Sequence, residues 1–393
     1  MSAGTMRGGR ARVGVLALVV AMAAAASAAA ADRFVPADPG FVVANVRQAV
    51  PDAGLRTLIA DWRAAPTDAS RVALATAFLE RAHALREPMY VGRAEAVLAG
   101  AALLPRSSTD TRRLYAQTLQ YRHAFPEAEA LLDGILRESP YDPAARTQRA
   151  SVRLVRGDFD GARGDCARLL GGGGSRSIAL ACLAESLAGG GRLEQARALL
   201  AAYPLPANED PAAQAYLLAM RAELEERGGS AERAVADYSR ALTLAPRDDS
   251  IRAALADALI ARGRGSEAGE LLAIERPSLA LLVRRATCTN GAERDRLRAQ
   301  AISWLDLEAA RGDAPHLREA AMLYLSMGDP GRALDAANRN FALQKELADV
   351  RVLARAAAAA EDTASGARLV AWLRVTGFRD SVAEGILHVA PRG

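Results

Sequence analysis

The sequence predicts an all-α solenoid, about seven to nine antiparallel helix pairs stacked in a row. Three observations predict it. Alanines recur 34 residues apart, at Ala128, Ala162 and Ala196, from Ala234 to Ala268, and from Ala333 to Ala367. Glycines and prolines punctuate those intervals at matching offsets: Gly157, Gly191, Gly229, Gly263 and Gly328 stand where a turn is needed, and Pro140 and Pro246 where a helix must stop. The composition agrees, since aromatics are only 5% and alanine dominates the apolar set, which favours closely packed helices over sheets. At 393 residues the chain also exceeds the ~250–300 at which one core stops growing, a limit that a repeat stack escapes.

The first thirty residues differ from the rest. Arg7, Arg10 and Arg12 precede an apolar run from Val13 to Ala31 that carries no charge. Residues 1–31 therefore read as a signal peptide cut near Ala31, giving a periplasmic or secreted protein; the alternative is an uncleaved anchor. No cysteine follows for a lipid anchor, and no adjacent Arg-Arg pair precedes the run. No later segment is long and apolar enough to span a bilayer, so no integral span is expected after cleavage. With those three arginines gone, 50 basic and 46 acidic residues become nearly balanced at +1, so the charge does not suggest a nucleic-acid partner.

Residues 32–67 form an extended leader, marked by Pro36, Pro39 and Pro51, and a first helix from Leu55 to Ala64. Residues 68–202 form an N-terminal block of repeats, starting with an irregular pair over Ala69 to Arg86 and Gly92 to Leu104. The loop 203–211, YPLPANEDP, holds a four-residue surplus in the period and is the expected joint before a C-terminal block, 212–393. The clearest rung of the ladder is Gly229 to Pro246. Glycine turns the chain, Ala234 and Ala241 let two helices approach, and Tyr238 fills the gap between them. In the helix before it Glu225 stands at a position usually apolar, so that helix is expected to rotate onto Leu217, Met220 and Leu224. A degenerate repeat spans Pro277 to Gly312 with Gly291 at its turn. A last pair covers Ala348 to Thr376, and Asp380 to His388 caps the stack.

The period and these motifs resemble the tetratricopeptide repeat family over about Asp68 to the C-terminus. LQYRHAFPEAEALLDGIL at Leu119 to Leu136, RASVRLVRGDFDGARGDCARL at Arg149 to Leu169 and HLREAAMLYLSMGDPGRAL at His316 to Leu334 are further similar to a subgroup of exported bacterial members without an assigned activity. The resemblance implies a right-handed superhelix whose concave groove, lined by first helices, binds a protein or peptide partner. By repeat position the groove candidates are Arg113, Gln117, Gln120, Tyr121, Thr147, Ser151, Leu154, Glu185, Glu223, Asp257, Arg318 and Met322. They are mixed in sign and lack the lysine-rich clamp of chaperone-binding relatives, so a terminal carboxylate is not the expected ligand.

Little in the chain points to chemistry. Lys345 is the only lysine, which removes lysine-dependent phosphate loops and Ser-x-x-Lys nucleophiles. Gly171 to Gly174 has no strand before it and is an inter-repeat turn. His83, His123, His316 and His388 lack metal-ligand spacing, and His316 with Glu319 alone is a weak signal, so no metal or cofactor is expected. Cys166 and Cys182 flank the same turn at comparable distances; they are either a disulfide or two small packing residues, and Cys288 has no partner left. Arg149 replaces an apolar residue opposite Asp165, as an ion pair or as an arginine whose head reaches solvent. The expected function is a noncatalytic envelope scaffold or adaptor. The alternatives are a structural subunit of an export or polysaccharide-secretion assembly and, more remotely, a cryptic hydrolase.

Overall fold

The computed structural model describes residues 53–388, apart from 86, 105, 173, 206–207 and 312–315. The expected signal peptide and the leader before residue 53 lie outside the described residues, and from Ala53 onward the chain forms one unit. Helix α1, Ala53–Ala64, is followed by α2 (Asp68–Leu85) and α3 (Met89–Ala102), then α4 (Thr109–Tyr121) and α5 (Phe125–Glu138). The next pairs are α6 (Pro143–Arg156) with α7 (Phe159–Leu169), α8 (Arg176–Gly189) with α9 (Leu193–Ala201), and α10 (Pro211–Arg227) with α11 (Ala231–Leu244). Then come α12 (Asp249–Ala261) with α13 (Gly265–Leu271), and α14 (Leu279–Cys288) with α15 (Gly291–Arg311). The last pairs are α16 (Leu317–Met327) with α17 (Pro330–Leu343) and α18 (Leu347–Ala359) with α19 (Thr363–Thr376), and α20 (Ser381–Ile386) follows. Every described element is helical, and the fold is an α-solenoid of antiparallel pairs.

Local chemistry explains the boundaries. Asp142 caps α6 by accepting from the Ala145 amide at 2.9 Å, with Pro143 in the first turn where its missing N–H is no loss. Gly157 then ends the helix in the left-handed region at φ 82°, and Asp158 caps α7 in turn. At the clearest rung Gly229 has φ 80°, Ala234 and Ala241 are fully buried, and Tyr238 is 3% exposed, packed with Ala222, Ala256 and Leu259. Leu217, Met220 and Leu224 carry the packing of α10, while Glu225 turns outward to Arg197 at 3.0 Å.

Successive first helices pack directly on one another at every step except α10 to α12, whereas successive second helices make no comparable contact. The stack therefore bends toward its first helices, which form the inner face, and its outer face splays open between second helices. The loop 203–211, expected as a joint, connects α9 to α10, and the first helices on either side of it, α8 and α10, are in close contact. Leu205 packs there with Leu180, Leu217 and Leu224, so apolar burial carries the stack across the loop, and the wider spacing falls one repeat later.

Candidate protein-binding groove

Of the residues assigned to the groove, α4 carries Arg113, Gln117, Gln120 and Tyr121, and α6 carries Thr147, Ser151 and Leu154. Tyr121 is 48% exposed and Ser151 is exposed, while Arg113 pairs with Asp110 at 3.3 Å on its own helix. Thr147 donates back to the Pro143 carbonyl at 2.8 Å, an ordinary intrahelical bond.

Several others are consumed by the fold. Leu154 lies in an apolar cluster that also holds Phe159, Cys166, Leu347, Val350, Leu353 and Phe378, and Met322 packs against that cluster. Arg318 reaches Asp349, which is fully buried, at 2.6 Å, and Asp349 also accepts from Asn340 at 2.6 Å. Asp257 neutralises the buried Arg284 at 2.8 Å. These residues make contacts that hold elements of the fold together.

The reason is a seam that 34-residue spacing does not reveal. Helices α17 to α20 return to the edge formed by the turns of α6/α7, α8/α9 and α10/α11. The Lys345 amide donates to the Val155 carbonyl at 2.7 Å. Phe159 meets Trp372 at 6.4 Å and Phe378 at 6.2 Å, and Trp372 lies edge-on to Phe341 at 5.2 Å. Such aromatic pairs add about 0.5–1.5 kcal/mol each beyond area burial. Gly191, at φ 83°, abuts Gly377 so closely that a Cβ on Gly377 would sit 2.9 Å from the Gly191 Cα. Arg351 joins Asp380 at 2.6 Å and also reaches Glu226 of α10, while Arg227 donates to the Arg379 carbonyl at 2.9 Å and lies 3.9 Å over the Phe378 ring.

Glu185 and Glu223 are brought together on the inner face. Tyr216 donates to Glu185 at 3.2 Å, and Glu346 of the returning segment adds a third carboxylate to the field. Burial first, then repulsion from Glu223 and Glu346, pushes Glu185 up to about 8. Burial likewise pushes Glu223 up to about 7, although Arg227 beneath it, at 3.8 Å, opposes the shift. Their side chains are part-buried, and the protein packed around them disfavours the charged carboxylate. Glu346 escaped sequence reasoning because only the returning segment brings it near the pair, whereas Tyr216 comes from the adjacent first helix and Arg227 lies one turn from Glu223 on α10. The scarce aromatics Trp372 and Phe378 were the available signal.

On the outer face Asp165, 1% exposed, accepts from Arg146 at 3.0 Å, from Arg149 at 2.6 and 2.8 Å, and from Arg153 at 2.9 Å. Arg149 also reaches Asp133 at 2.7 Å, so it is a part-buried ion-pair residue. Cys166 and Cys182 place their Cα atoms 5.5 Å apart with the sulfurs at bonding distance, joining α7 to α8. His316 contacts Glu308 at 2.6 Å, and no metal-ligand cluster occurs among the described residues.

No family model matches the sequence, and no curated protein does. Among solved structures the chain is similar to a thermophilic TPR protein of Thermus thermophilus, at 23% identity and TM-score 0.37, over 50% of this chain and 98% of that one. It is also similar to a tetratricopeptide repeat protein of Parabacteroides merdae, at 18% identity and TM-score 0.40, over 64% and 98%. A third likeness is to the Cut9–Hcn1 hetero-tetramer of APC/C, at 16% identity and TM-score 0.45, over 82% and 66%.

Proposed function

We propose that the chain is a noncatalytic protein-binding scaffold of the bacterial cell envelope, exported by a segment cut near Ala31. It holds an extended stretch of a protein partner on the inner face of α4 and α6. The observation that carries this is Tyr121: a large aromatic, 48% exposed, beside Gln117 on a first helix. Aromatic side chains bring large contact area at low entropic cost, and the adjacent Gln117 amide supplies a donor and an acceptor for a partner backbone.

A photo-crosslinking amino acid at Tyr121, activated in intact cells, should capture a discrete protein adduct. The same probe at Tyr141, 92% exposed on the α5–α6 turn, should not. No adduct at Tyr121, or the same adduct at both positions, overturns the groove. The mature protein should begin near Asp32, as intact mass will show.

A further inference from the structure

We infer that the outer face between α5 and α7 is a second binding site, which takes an acidic peptide segment of a partner. Because the stack bends toward its first helices, α5 and α7 diverge and leave an open cleft of about 700 Å³ with α6 at its floor. Arg137, Arg146, Arg149 and Arg168 line it against a single lining carboxylate, Asp133, with Ala130 and Leu136 as its apolar part. Adding Asp165 beneath leaves an excess of positive charge.

The four arginines divide into two kinds. Arg146 and Arg149 are held rigidly by Asp165, their side chains only 9% and 14% exposed, and so present a fixed positive floor. Arg137 and Arg168 are exposed at the two rims, and among the described residues neither has a carboxylate at ion-pair distance. Arg137 donates to the Asp133 carbonyl at 3.4 Å and Arg168 to the Gly164 carbonyl at 3.1 Å, each folded back on its own helix. Both guanidinium groups can swing onto a ligand by giving up one bond to a helix carbonyl that is already paired. Guanidinium forks bind carboxylates in two-point fashion, and an acidic segment lying along the cleft would meet a rim arginine on each side. A buried ion cluster kept for packing alone would need no unpaired arginine at either rim.

The test uses the full mature chain and a fluorescein-labelled hexaglutamate, with hexaglutamine as control, in fluorescence anisotropy at two salt concentrations. Hexaglutamate should bind, hexaglutamine should not, and affinity should fall with salt. Arg137→Ala with Arg168→Ala should weaken binding at least tenfold and leave the circular dichroism unchanged, since both side chains are exposed. Arg240→Ala with Arg339→Ala removes the same charge elsewhere and should change nothing. Equal weakening by both pairs, or hexaglutamate binding that the rim pair does not alter, overturns the site. Inorganic pyrophosphate displacing the peptide at lower concentration than free hexaglutamate does would show a phosphate site instead, and would overturn the acidic-peptide assignment.

Discussion

Asp165→Ala is the sharpest probe of how the arginine-rich α6 is held. The carboxylate is 1% exposed and serves three guanidinium groups at 2.6–3.0 Å. Removing it strands Arg146, Arg149 and Arg153 beside one another, with Asp133, Glu129 and the more distant Asp158 left to offset them. Leaving buried charge uncompensated costs about 3–5 kcal/mol. Arg149→Ala is gentler, because Asp165 keeps Arg146 and Arg153; the loss is that of charged hydrogen bonds, about 1.5–3 kcal/mol. Asp165→Ala should therefore be the worse variant by roughly 1–2 kcal/mol, and Arg149→Met added to it should recover part of the loss by removing one stranded charge. Urea unfolding followed by circular dichroism measures the order, and amide exchange localises the loss to α6 and α7, which matters because a repeat stack need not unfold in one step. Arg149→Ala destabilising as much as Asp165→Ala, or neither changing the midpoint, would refute the reasoning.

Three further outcomes are expected. Glu223 has a folded pKa of about 7 against an ordinary 4.5, so its contribution to stability is present below about pH 4.5 and is lost as the pH rises through 7. Glu223→Gln should accordingly gain on the wild type by about 1–3 kcal/mol between pH 5 and pH 9, after a discount for solvent screening, and a melting difference that is flat with pH would exclude this. Phe378→Ala removes a side chain 4% exposed at the seam and should cost about 3–5 kcal/mol, with amide exchange speeding up in α17 to α20 and around Gly157 and Gly191; faster exchange confined to α20 would mean that the seam does not close the stack. Reducing the purified protein, or replacing Cys166 and Cys182 by alanine, should cost about 3 kcal/mol for a loop of some 16 residues; unchanged stability would show that the two are only packing neighbours.

How much of this was legible in the sequence follows from the range of each interaction. The ladder is local: a 34-residue period, a glycine at φ 80° after α10, and the small residues Ala234 and Ala241 lie within one rung, so helix pairs and their turns can be read along the chain. Even the rotated face of α10 was legible, because Leu217, Met220 and Leu224 announce it. The inner-face candidates were placed by repeat position alone, and that rule cannot see which positions another part of the same chain will cover. Leu154, Arg318 and Met322 also take part in the packing by which α16 to α20 meet one another and α6 to α10. The raised carboxyls of Glu185 and Glu223 arise from burial first, with Glu346 of that same return adding repulsion. The sequence by itself determined the helices, their pairing and their direction of stacking, all set by contacts between near neighbours. Only the tertiary structure decided where the stack meets itself, because that depends on small bends accumulated over many repeats, and with it which arginines and glutamates are left to meet a partner.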